Sequence, residues 1–287
     1  STACDFLAIC VPKAVSLTLW LMMNQFKLAH SADRSVDELL ADCLNQLGSL
    51  PPEANFGFMY LSDRLADQAE PILAKLKEET GITDWVGTVG IGIIASQVEY
   101  FDQSAMALMV ASFNEADFYM LPNMTGTSAD LSDDLSQWCG ANDFNVGLIH
   151  ADPGNASTQP LLKNLDNDIP TAFIVGGITS SRGSHVQFAN ETLRDGVSGV
   201  LFSPAVPIMT NLTQGCTPIG SRHVVTQCDG NIVHALDNRP ALDVLSEDAG
   251  EVIAQDWQQA AGYIFAGLVN KNSDLDDYSI RQIIGVD

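Results

Sequence analysis

Four short blocks of this chain occur twice, in the same order and at nearly the same spacing. "NFGFMYLSD" from Asn55 returns as "NVGLIHADP" from Asn145, and "PILAKL" from Pro71 returns as "PLLKNL" from Pro160. "WVGTVGI" from Trp85 matches "FIVGGIT" from Phe173, and "MALMVASF" from Met106 matches "VSGVLFSP" from Val197. The offsets are 90, 89, 88 and 91 residues. A fixed period of this kind marks a duplicated structural unit. The two copies are expected over 34–113 and 128–204.

Each copy opens with a helical pattern. Ser35 stands as N-cap with Glu38 three residues on, a capping box, and Val36, Leu39, Leu40, Cys43, Leu44 and Leu47 recur at helical spacing before Gly48. In the second copy Leu131, Leu135, Trp138 and Cys139 make a shorter apolar face that ends at Gly140. The segments near 56–61 and 146–151 are apolar at consecutive positions, as strands are when both faces are covered. Each unit therefore reads helix–strand–helix–strand–strand. The fold class is α/β, with mixed sheets, followed by a β-hairpin and a C-terminal helix.

The glycines of "WVGTVGIGII" raise the question of a phosphate loop. Gly87, Gly90 and Gly92 run G-x-x-G-x-G, which is not the dinucleotide spacing, and no G-x-x-x-x-G-K-[ST] occurs anywhere. The second copy keeps Gly176 opposite Gly87 and loses the rest. Close packing of backbone at a strand end accounts for the pattern.

Beyond the second unit the pattern turns to strands. "PAVPIMTNLTQG" alternates Ile208, Thr210 and Leu212 against Met209, Asn211 and Thr213. Asp229-Gly230 between two alternating runs predicts a hairpin with Val225 facing His234 and His223 diagonal to His234. From Ser246 a helix is expected to carry Val252, Trp257, Ile264 and Leu268, and "YSIRQIIGVD" then alternates like a strand.

Charge excludes several functions. Thirteen basic against 36 acidic residues give a net −23, so neither a nucleic-acid backbone nor an anionic membrane is an expected partner. The six cysteines form no C-x-x-C pair and read as reduced thiols of a cytoplasmic protein, with no metal site. Residues 1–22 are expected to be an upstream extension outside the fold. A signal or anchor is the competing reading, but Asp5 comes early, Pro12-Lys13 interrupts the apolar run, and the run is too short to span a bilayer.

The run "QGCTPIGSRHVVTQCDGNIVHALDNRPALDVL", together with "TAFIVGG", "GVSGVLFS" and the earlier "WVGTVGIGII", which follow one another as in the family, resembles the FIST N-terminal domain. The resemblance implies a sensory domain over 23–246 in a bacterial signal-transduction protein, binding a small polar ligand such as an amino acid. It implies that 247–287 hold a linker helix and the first strand of a companion FIST C-terminal domain, and that a signalling output protein is a partner. Haem-based sensing of nitric oxide is the alternative, and a protein-recruiting scaffold is a third.

No nucleophile–base pair is spelled out, since Ser62 and Ser203 lack a G-x-S-x-G elbow, and the chain is not expected to be an enzyme. Candidate ligand residues are His150 and Asp152 at a strand mouth, with Gly176 and Gly177 beside them. The competing role for His150 and Asp152 is to cap the next helix. Gln214, Gly215 and Cys216 at a sharp turn, and Arg222 as a carboxylate partner, complete the set. No cofactor is expected; for the haem alternative the axial candidates are His150, His223 and His234.

Overall fold

The computed structural model describes residues 26–129, 131–210, 216–250, 264–269 and 278–285. The described residues fall into two compact units, one up to residue 210 and one from residue 216 onward. The expected extension at 1–22 lies outside the described residues, as do Gln214 and Gly215.

The first unit traces one path twice. The chain runs Phe26–Ala32 (β1), helix Val36–Leu47 (α1), Phe56–Ser62 (β2), helix Ala69–Thr80 (α2) and Asp84–Gly90 (β3). A hairpin of Gly92–Ala95 (β4) and Val98–Phe101 (β5) follows, then Ala105–Ala111 (β6). The second pass runs Phe118–Met124 (β7), helix Asp133–Gly140 (α3), Asn145–Ala151 (β8), helix Thr158–Asp168 (α4) and Ala172–Ile178 (β9). It closes through a hairpin of Gln187–Ala189 (β10) and Thr192–Leu193 (β11) into Val197–Phe202 (β12). Both passes give the same mixed order: β1-β6-β2-β3 in one sheet and β7-β12-β8-β9 in the other. In each the central pair is antiparallel and the last pair parallel. Each pass thus begins with a strand, β1 or β7, that the helix–strand–helix–strand–strand pattern omits.

Local chemistry explains the elements. The Ser35 hydroxyl accepts from the Glu38 amide while Glu38 accepts from the Ser35 amide, and Gly48 stops the helix with φ 59°. Ser132 caps α3 in the same way, its hydroxyl accepting from the Leu135 amide at 3.2 Å. Gly87 and Gly176 fill equivalent seats. A Cβ at Gly87 would lie 1.8 Å from the Met59 carbonyl oxygen, and one at Gly176 would lie 1.9 Å from that of Ile149. Register therefore matches Trp85 (opposite Gly57) with Ile174 (opposite Gly147), one residue on from the sequence match to Phe173.

The two sheets pack face to face, with helices outside. Phe56, Phe58, Val86 and Ala111 of one sheet meet Phe118, Leu148, Val200 and Phe202 of the other. On the outer faces α1 and α2 bury Leu39, Cys43, Ile72 and Leu76 over the first sheet, while Leu135, Leu161 and Leu165 cover the second. The copies are joined by an exchange: β10, from the second pass, adds antiparallel to β3 of the first, with Phe188 opposite Gly87.

Three local expectations are corrected. Residues 207–210 form no strand, because Pro204 and Pro207 withhold ladder donors, while 211–213 of the expected alternation lie outside the described residues. The hairpin of Val225–Asp229 (β13) and Ile232–Leu236 (β14) turns through Gly230, φ 56°, and Asn231. Asp229 pairs with Ile232 and Val225 with Leu236, so Val225 does not face His234. After Arg239–Pro240 (β15), a helix spans Ala241–Ala249 (α5) and ends at Gly250, φ 56°. Val252 and Trp257 lie outside the described residues. Phe265–Val269 (β16) is a strand instead of helix, paired antiparallel with Tyr278–Gln282 (β17), because Gly267 weakens a helix while the apolar run finds a ladder.

Candidate functional site

At the centre of the sheet sandwich one row of residues is polar. Tyr60, Thr88 and Gln187 stand side by side on β2, β3 and β10, while Ser198, His150 and Gly177 do so on β12, β8 and β9. Tyr60 and His150 occupy equivalent positions in the two copies and meet across the interface, with the phenol oxygen 3.2 Å from Nε2. Ser198 Oγ donates to Gln187 Oε1 at 2.7 Å, and Gln187 Nε2 donates to the Gly196 carbonyl. Thr88 and Thr179 share a hydroxyl contact of 2.8 Å. Burial raises the Tyr60 phenol pKa and lowers that of His150 to about 4, so the imidazole is neutral. His150 Nδ1 is buried without a partner.

Above this layer, at the C-terminal ends of β2 and β8, loop 179–186 fastens to both copies. The Arg182 amide donates to Asp63 Oδ2 at 3.0 Å, and Arg182 Nη2 lies 2.7 Å from Asp102 Oδ1. The Arg182 guanidinium also sits 5.8 Å from the centre of the Phe101 ring. On the other side His185 Nδ1 approaches Asp152 Oδ1 at 3.3 Å, and the Ser180 hydroxyl accepts from the Ile91 amide. The Asp63 side chain is only 6% exposed, and its Oδ1 is buried with no hydrogen-bond partner. A buried carboxylate oxygen without a donor is costly, and it marks where a donor belongs.

The predicted residues divide. His150, Asp152, Gly176 and Gly177 come together at the ends of β8 and β9. Asp152 is largely occupied by the chain, accepting from the Gly154 amide at 2.7 Å and the Asp195 amide at 3.0 Å. Asp152 thus shapes the loop and does not cap the next helix, whose N-cap is Ser157. Gly176 answers to strand approach, whereas a Cβ at Gly177 would meet nothing within 4 Å. Cys216, half-buried, and Arg222, exposed, belong to the other unit.

His223 has both ring nitrogens engaged, Nδ1 at 2.6 Å from Asp237 and Nε2 at 2.9 Å from Asp248. It offers no lone pair to a metal or a haem iron. His234 is exposed on β14, and the pairing expected between the two histidines dissolves with the shifted register. The His150 ring is edge-on to Tyr60 at 5.6 Å between centroids, so the phenol fills the side from which a porphyrin would approach Nε2. As placed, His150 through Nε2 and His223 do not fit an axial haem ligand. No cluster of three metal-ligating side chains occurs among the described residues.

Asp63, Arg182 and His185 escaped the sequence reading. Only thirteen residues of the chain are basic, so a lone arginine in a loop is a signal for carboxylate binding at Arg182 in "TSSRGSH" as much as at Arg222. A separate open depression of about 500 Å³ lies at the opposite strand ends, lined by Asn55, Asp84, Phe118 and Asn190 among others. The amide groups of Asn55 and Asn190 are already paired there, with Phe113 and with Trp85 and Asp84. Buried oxygens without a partner occur at both ends, Ser112 Oγ and Asn145 Oδ1 at this one and Asp63 Oδ1 at the other, but of these only Asp63 is a carboxylate, and the Arg182 guanidinium lies beside it, so the loop 179–186 end is the better candidate.

A family model described as FIST N domain matches residues 55–239. Among curated proteins the chain is similar to the uncharacterized protein Rv0628c of Mycobacterium tuberculosis, 28% identical over 229 residues, covering 77% of this chain and 59% of that protein. It is similar also to the uncharacterized protein Mb0898c of Mycobacterium bovis, 29% identical, covering 77% and 58%. The chain thus spans less than two thirds of the length of these relatives. No helix among the described residues is long and apolar enough to cross a membrane.

Proposed function

The chain belongs to the FIST N domain family, a family of signal-transduction sensor domains, and on that premise we propose that it binds a small zwitterion such as an amino acid beneath loop 179–186. The unpartnered, buried Oδ1 of Asp63 carries this reading. An ammonium group would supply the missing donor, and the adjacent Arg182 guanidinium suits a carboxylate. Because the loop is tied to Asp63 in one copy and Asp152 in the other, a ligand competing for Arg182 would bias how the loop holds the two copies. A companion FIST C-terminal domain and an output protein would read that change.

The test is thermal denaturation of this chain with a panel of amino acids. A ligand at about 100 times its Kd stabilises by ~2.7 kcal/mol, roughly 5–10 °C for a unit of this size. Asp63→Asn and Arg182→Ala should each abolish the shift. A panel that leaves the melting temperature unchanged, or variants that respond like the parent, would remove the reading.

A further inference from the structure

Strands β3 and β9 are equivalents, but their outer edges are treated differently. β3 is covered by β10, with the fully buried Phe188 opposite Gly87. β9 has a partner on one side only among the described residues, and Phe173 and Ile178 are 49% and 51% exposed along it. Natural edges are usually blunted by charge, proline or bulges. This one carries none of them: from Thr171 to Ser181 there is no proline, and from Ile169 to Ser181 no charged residue, in a chain of net charge −23.

We propose that β9 pairs with β9 of a second copy, antiparallel about a two-fold axis at Val175. The strand reads Ala-Phe-Ile-Val-Gly-Gly-Ile from residue 172. With Val175 opposite Val175, Phe173 falls opposite Gly177, Ile174 opposite Gly176 and Ala172 opposite Ile178. Val175 then faces its own copy, while Phe173, Ile174 and Ile178 each meet a glycine or alanine, from both copies at once. Sliding the pairing by two residues in either direction sets Phe173 against Val175 or leaves Gly176 facing itself.

The faces agree as well. Phe173, Val175 and Gly177 lie on the sheet's inner side with His150, while Ile174 and Gly176 lie on the helix side. A two-fold axis normal to the sheet keeps each on its own side. Ile174 over Gly176 repeats what Phe188 does over Gly87. An acidic chain meets its copy here without like charges in the strand, which selects a second copy over a basic or acidic peptide as occupant.

A single strand pair buries less than the ~1,200 Å² of a standard interface, so association is expected to be weak and concentration-dependent. Sedimentation of this chain across a wide concentration range should show a monomer–dimer equilibrium. Phe173→Lys should raise its dissociation constant at least about tenfold. Gly177→Asp, where a new Cβ meets nothing within 4 Å, should do the same while keeping the parent's melting curve, and it stands in if the Phe173 variant fails to fold.

Val175→Cys should form a disulfide-linked dimer under mild oxidation, above the background of the parent's own thiols. Phe173→Cys alone should not, but mixed with Gly177→Cys it should. A monomer at every concentration, or a dimer indifferent to both charged variants and not trapped through Val175→Cys, overturns the proposal.

Discussion

Gly176 and Gly177 are neighbours with the same side chain, yet the fold asks different things of them. At Gly176, φ 152°, an added methyl group strikes the Ile149 backbone, and neither side can yield. At Gly177 the space is open. Gly176→Ala should cost at least ~3 kcal/mol in urea unfolding, and Gly177→Ala should stay within about 1 kcal/mol of the parent; equal costs would show that strand approach does not explain the first glycine. His150 sets a second test. Its folded pKa of about 4 lies below the ordinary 6.5 because the buried ring resists charge. The unfolded chain therefore binds the extra proton between these values. The contribution is complete above pH 6.5 and is lost as pH falls through about 4, amounting to ~3 kcal/mol at most. Many carboxylates titrate in the same range, so the measurement is a difference: His150→Gln should flatten the pH dependence of the urea midpoint between 6.5 and 4.5 relative to the parent.

At the scale of elements, β14 and α5 are tied by one side chain. His223 is held between Asp237, just after β14, and Asp248 on α5, and its pKa is raised, chiefly by the bond to Asp237 and then by that to Asp248. A raised folded pKa means that the tie is fully present below pH 6.5 and is lost as pH climbs through the folded value. The Arg239–Glu247 ion pair beside it does not titrate in this range. Hydrogen exchange at the hairpin and α5, corrected for the intrinsic pH effect, should therefore lose protection on going from pH 6 to pH 9. Asp248→Asn should bring the proton-NMR titration midpoint of His223 down. A midpoint unmoved by that change would mean that Asp248 does not hold the ring.

The whole first unit depends on the layer its two copies share. Phe202 contacts Phe56, Phe58 and Phe113 across the sandwich, with ring centroids 5.4 to 6.4 Å apart. Phe202→Ala should cost about 3–5 kcal/mol. Although the substitution lies in the second copy, exchange should accelerate in α1 as well as in α4, because neither sheet buries its inner face alone. Loss of protection confined to α4 would show that the copies are energetically separate.

How much of this was legible beforehand follows the reach of each signal. The capping box at Ser35, the glycines at 87 and 176 and the α/β alternation are written in residues a few positions apart, where propensity and period act directly. The matched blocks specified that two similar stretches exist, though not which of their faces would meet. The helical reading of 265–269 failed because the apolar run there is compatible with either period, and a ladder with β17 decided it. The hairpin turn moved by one residue because Gly230-Asn231 suits a tight turn as well as Asp229-Gly230 does. The features nearest to function depend on contacts between residues about 90 to 120 positions apart: Tyr60 with His150, Asp63 with Arg182, β10 with β3. No sequence period records such pairings. They are set by which sheet edge and which buried polar atom remain unpaired once the local elements have formed, and only the tertiary structure fixes that.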